Sequence, residues 1–160
     1  MTVPPRTYPR QEQEHYTDPD SFGFARSLLY SGRFTDSWDV KVRSTIDSLA
    51  EESGLKPLVL LPDEIMVEDY SPFYEVYCAS EAEAKLHALG DPQLHNAPRL
   101  ICIDVGLDQA CGYLALTSLM NQIPRYGVPQ GSELVVFTDS TRNIVEEVFD
   151  IHIPLGQTLT

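Results

Sequence analysis

Two short apolar runs, each closed by polar residues, constrain this chain more than any other feature. The first is Leu100-Ile101-Cys102-Ile103, closed by Asp104. The second is Leu134-Val135-Val136-Phe137, closed by Thr138-Asp139. Between them lies an amphipathic stretch, residues 107–123, with Ala110, Leu114, Thr117 and Met120 at helical spacing. Apolar runs this short read as strands buried on both faces. Strand, helix and strand in succession read as a parallel βαβ unit. In an open parallel sheet, ligands sit beyond the carboxyl ends of the strands. The polar residues that close the runs are therefore the candidate site residues.

The same pattern continues on both sides. Leu58 to Leu61 lies between Pro57 and Pro62 and is followed by Asp63 and Glu64. Residues 74–78 alternate and are β-rich, and 150–153 form a last short run, so strands are predicted near 57–61, 74–78, 99–104, 133–138 and 150–153. A helix is predicted from a cap at Asp36 to about Ser53, with Trp38, Val42, Ile46, Leu49 and Ala50 on its inner face and Gly54 as its stop. Ser80-Glu81-Ala82-Glu83 has the form of a capping box. It opens a helix whose buried stripe is Ala82, Leu86 and Leu89 and which ends at Gly90-Asp91-Pro92. A short helix over 140–149 would bury Ile144, Val145, Val148 and Phe149. Residues 21–32 are predicted as a short helix carrying Phe24, Leu28 and Leu29 on one face, with Gly32 as its stop.

These elements predict an α/β fold: a three-layer, doubly wound, flavodoxin-like domain with a mainly parallel sheet and an extra N-terminal helical segment. Residues 1–20 hold four prolines and almost no aliphatic side chains, so they are expected to form a flexible arm. Residues 21–160 are expected to form a single domain. Ile46, Ile101, Ile103, Leu114 and Val135 are expected in the core. One edge of the sheet would gather Asp63, Glu64, Asp104, Thr138 and Asp139.

Charge narrows the function classes. The chain has 24 acidic and 11 basic residues, a formal net charge of −13. Such a field repels nucleic-acid phosphates and anionic lipid and favours basic protein partners. It also serves solubility or adaptation to salt. Direct nucleic-acid binding is disfavoured, because no basic patch interleaved with aromatics occurs. No apolar run reaches membrane-spanning length, and the opening residues contain no apolar segment of the signal-peptide kind. Cys78, Cys102 and Cys111 show no metal-ligand or CxxC spacing, which points to buried thiols in a reducing compartment. A cytoplasmic protein is expected. His15, His87, His95 and His152 are scattered, and no nucleotide-binding or hydrolase motif is present.

Residues 57–153 resemble a response-regulator receiver domain. "LVLLPDE" looks like that family's first strand with its acidic end, and "YEVYCASEAEAKLHAL" like its second strand and helix. "RLICIDVGLDQACGYLAL" looks like the third strand and the loop after it, with Asp104 at the phosphoacceptor position and Gly112 eight residues on. "LVVFTDS" is similar to the fourth strand and places Thr138 at the switch hydroxyl. The sequence departs from the family pattern at four points. Pro62 replaces the first acid of the pair, Asp108 replaces the loop proline, no lysine follows Ile153, and residues 65–72 are too short for the first helix.

The resemblance implies a magnesium site built from Asp63, Glu64 and Asp104. Convergent carboxylates repel one another and either bind a cation or titrate upward. With Pro62 in place and the lysine missing, little phosphorylation is expected. The expected function is a non-catalytic, receiver-like regulatory module that binds a protein partner and needs no cofactor. The alternatives are an acidic inhibitor or accessory subunit docking on a basic protein surface, as a nucleic-acid mimic would, and a magnesium-dependent phosphotransfer enzyme.

Overall fold

A computed structural model describes residues 24–33, 35–61, 67–94, 96–105, 127–139 and 151–155. The strands are β1 (Arg26–Gly32), β2 (Lys56–Leu61), β3 (Glu75–Cys78), β4 (Arg99–Asp104), β5 (Glu133–Asp139) and β6 (Ile151–Pro154). The helices are α1 (Trp38–Ser53), the single turn α2 (Val67–Tyr70) and α3 (Ala79–Gly90), and a 3-10 turn follows at Pro92–Leu94. The strands form one sheet in the order β3-β2-β4-β5-β1-β6, and every pairing is parallel. The α/β, flavodoxin-like architecture expected from the sequence is what the chain forms. Counted from β2, the later strands follow the flavodoxin-like order 2-1-3-4-5. β1 is inserted between the fourth and fifth of them.

β1 is the main correction. The stretch predicted as a helix on Phe24, Leu28 and Leu29 is a strand from Arg26 onward, paired to β5 from Arg26↔Glu133 to Gly32↔Asp139. Leu28, Leu29 and Tyr30 are all buried, so both faces of the strand are covered. A strand buried on both faces shows no two-residue period, and over a few residues it also satisfies a helical one. The five strands predicted elsewhere all form.

Alternation along the strands divides the core. On one face Leu28, Tyr30, Val59, Leu61, Leu100, Cys102, Val135 and Phe137 meet Trp38, Val42, Ile46 and Leu49 of α1. On the other, Leu29, Leu58, Leu60, Ile101, Ile103, Leu134 and Val136 meet Ala82, Leu86 and Leu89 of α3. The helical stripes predicted for both helices are thus the buried ones. Ile46, Ile101, Ile103 and Val135 are each 0% exposed. Full burial of such a side chain contributes about 1.5–3 kcal/mol. Cys78 and Cys102 are both buried, and burial pushes the Cys102 thiol upward.

The helix starts differ from expectation by one residue in α1 and by two in α3. Ser37, not Asp36, precedes the first helical residue of α1, without a side-chain capping bond. α3 begins at Ala79, behind Cys78 at the cap position. Gly54 does terminate α1, in the left-handed conformation at φ 76°, where glycine carries no steric penalty. The predicted arm at 1–20, the helices at 107–123 and 140–149, and Leu114, Cys111, His15 and His95 lie outside the described residues. No helix among the described residues is long and apolar enough to cross a membrane.

Candidate functional site

The carboxyl edge of the sheet is built by its register. Asp104 is the last residue of β4 and lies opposite Phe137 of β5. Its parity along the strand matches Leu100 and Cys102, so its carboxylate falls on the α1 face. Just beyond it, the Val105 amide donates to the Phe137 carbonyl at 2.9 Å and extends the pairing past the acid. Tyr30 and Phe137 stack on this face, with ring centroids 5.5 Å apart.

Asp104 is 1% exposed. A carboxylate removed from water needs donors, because an uncompensated buried charge is costly. Two side chains supply them. The Trp38 indole N–H reaches Oδ1 at 3.1 Å and Oδ2 at 3.0 Å. The Tyr70 hydroxyl donates to Oδ2 at 2.5 Å. Trp38 opens α1 and Tyr70 closes α2, so one acid joins both elements to the end of β4. Both aromatic side chains are buried, at 1% and 0% exposure. Burial pushes the Tyr70 phenol far above its usual range, and the neighbouring Asp104 charge and hydrogen bond push the same way. The phenol therefore stays protonated and remains a donor.

Thr138 lies on the other side of the sheet. It follows Phe137 by one residue and aligns with Ser31 of β1, so it shares the parity of Leu134 and Val136 on the α3 face. It is 2% exposed, and its hydroxyl donates to the Asp139 carbonyl at 3.3 Å. The structure brings Asp104 and Thr138 to adjacent strand ends but onto opposite faces. Asp63 and Glu64 of the expected metal set, with Pro62, Asp108 and Gly112 of the receiver pattern, lie outside the described residues. Among the described residues no group of three metal-ligating side chains converges. Elsewhere on this edge, Ser31 Oγ and His152 Nε2 are 2.7 Å apart.

The amino edge carries a second polar cluster. Arg99 donates to the carbonyls of Lys56 and Pro57 at 3.0 and 2.9 Å and to Glu75 Oε1 at 2.8 Å. Glu75 also meets Lys85 at 3.2 Å and the Tyr77 hydroxyl at 2.7 Å. Burial works against ionisation of Glu75. Hydrogen bonds from Tyr77, Arg99 and Lys85 outweigh it and lower the pKa to about 2. This cluster ties the starts of β2, β3 and β4 together.

Sequence reasoning places Asp104 at a strand end and Trp38 on a buried helix face, but it misses their bond. The available signal was chemical: a buried indole N–H needs an acceptor. Nothing in the spacing says which acid supplies it. Tyr70 falls in a stretch too short and mixed to predict as a helix. No protein-family model matches the chain, and no curated protein matches it.

Proposed function

We propose that this chain is a non-catalytic, receiver-like interaction module that acts by binding a protein partner. The observation that carries this reading is the engagement of Asp104. A carboxylate that attacks a phosphoryl donor must offer an oxygen lone pair to an incoming phosphorus. Asp104 is 1% exposed, and both of its oxygens already accept from Trp38 or Tyr70, so an incoming phosphorus meets a buried, engaged carboxylate. Its role in this reading is to anchor α1 and α2 on the sheet. The strand order from β2 to β6 supports the receiver likeness, and β1 between the fourth and fifth strands is a departure from it.

The net charge of −13 favours a second form of the same idea, an acidic accessory subunit or inhibitor that docks on a basic protein surface. Both forms are tested by affinity capture from the native source with wild-type protein and with Asp104→Asn, each with and without prior acetyl phosphate and magnesium. The proposal expects one saturable protein partner, retained in all four arms. Absence of any saturable partner, or binding that switches on with acetyl phosphate in wild type alone, would overturn it.

A further inference from the structure

The function proposed above needs a binding face, and the outer flank of α1 supplies one. Val40, Arg43 and Asp47 follow one another at i, i+3 and i+7, so they form one stripe along the helix. The turn after α2 packs on this stripe. The Arg43 guanidinium lies 4.5 Å from the centroid of the Phe73 ring, and the Tyr74 hydroxyl donates to Asp47 at 2.7 Å and to the Arg43 carbonyl at 3.2 Å. Phe73 and Tyr74 rings are themselves 6.2 Å apart. The core absorbs neither Val40 on this stripe, 54% exposed, nor Phe73 on the turn, 58% exposed. The only other large apolar side chain so exposed among the described residues is Leu94, in the 3-10 turn that follows α3.

An exposed aromatic ring held in place by a neighbouring arginine is the kind of residue that anchors an interface. Its surroundings say what it would meet. Asp47 and Glu51 are exposed on the same flank of α1, and Glu68 and Asp69 are exposed on α2, immediately before the turn that carries Phe73. Arg43, the cation on the stripe, is already paired with Asp39 at 3.3 Å. The face is therefore an apolar centre with an acidic margin, on a chain of net charge −13.

We infer that the Val40–Phe73 face is the docking site for a basic segment of a partner protein, with a partner arginine or lysine stacking on the face of the Phe73 ring opposite Arg43. A cation over an aromatic face is attracted by the ring quadrupole, and the carboxylates of Glu68, Asp69 and Asp47 hold the partner's remaining positive charge.

The test separates the face from the general field of the molecule. The probe is a fluorescent nona-arginine peptide, titrated into the full chain at physiological salt and followed by anisotropy and by amide chemical-shift mapping. Phe73→Ala changes no charge, so attraction by the overall field alone predicts no effect. The proposal expects the largest shifts at residues 40–47 and 68–74 and affinity about fivefold weaker in Phe73→Ala. Leu94→Ala, the control for a remote exposed apolar residue, should bind as wild type does. Shifts spread over the whole acidic surface, or equal binding by Phe73→Ala and wild type, would overturn this face and leave the interaction-module reading standing. No binding of the peptide would overturn the basic occupant, while partner capture from the native source judges the module reading separately.

Discussion

Trp38 donates its indole N–H to both carboxylate oxygens of Asp104, at 3.1 and 3.0 Å, across 66 residues of sequence. Tyr70 completes the set from α2 at 2.5 Å. A helix, a helical turn and the central strand thus share one buried charge. Removing a donor leaves that charge under-compensated, which costs more than a neutral hydrogen bond. Trp38→Phe and Tyr70→Phe should each destabilise the fold by about 2 kcal/mol. Because they share an acceptor, the double variant should depart from the sum of the two by at least about 0.5 kcal/mol. Urea unfolding followed by far-ultraviolet circular dichroism measures all four corners of the cycle. Single variants as stable as wild type would remove the anchor role.

The apolar part of this arrangement was legible in the sequence, and the polar part was not. Leu100 to Ile103 and Leu134 to Phe137 announce strands because four consecutive apolar residues with turn signals on either side have few other uses. Trp38, Val42, Ile46 and Leu49 announce a helix face because their spacing persists over about three turns. Leu28-Leu29-Tyr30 failed as a guide because a run that short fits strand and helix alike, and only its pairing with β5 and β6 decides. Asp104 could be placed at a strand end. Its donors come from elements far away in the chain, and short-range pattern does not carry that information.

Glu75 makes stability depend on pH at the amino edge. Its pKa in the folded chain is about 2, below the ordinary value of 4.5. A group depressed in this way stabilises the fold above its unfolded pKa, and that contribution is lost as pH falls through the folded one. Wild type should therefore exceed Glu75→Gln in stability at neutral pH. The gap should close between about pH 4.5 and pH 2. Chemical denaturation of the two proteins across that range checks the sign. A gap that stays constant down to pH 2 would mean that the ion pairs with Arg99 and Lys85 are not the cause.

Ile103 tests the sheet itself. It is 0% exposed, on the α3 face of β4, among Leu58, Leu60 and Val136. Ile103→Asp would place a charge there without a designed partner, with an expected cost of about 4 kcal/mol or more. Ile103→Val removes one methylene and should cost about 1 kcal/mol. Thermal unfolding of both variants gives the comparison. An aspartate variant that melts with wild type would contradict the position of β4 at the centre of the sheet.

The most direct test of the central claim, that Asp104 is an anchor and not a phosphoacceptor, is intact-protein mass spectrometry after incubation with acetyl phosphate and magnesium. Wild type and Asp104→Asn are compared side by side, with folding of each verified by circular dichroism. The anchor account predicts no phosphoryl adduct on either protein. A stoichiometric adduct on wild type that is absent from folded Asp104→Asn would contradict it and make Asp104 a working phosphoacceptor.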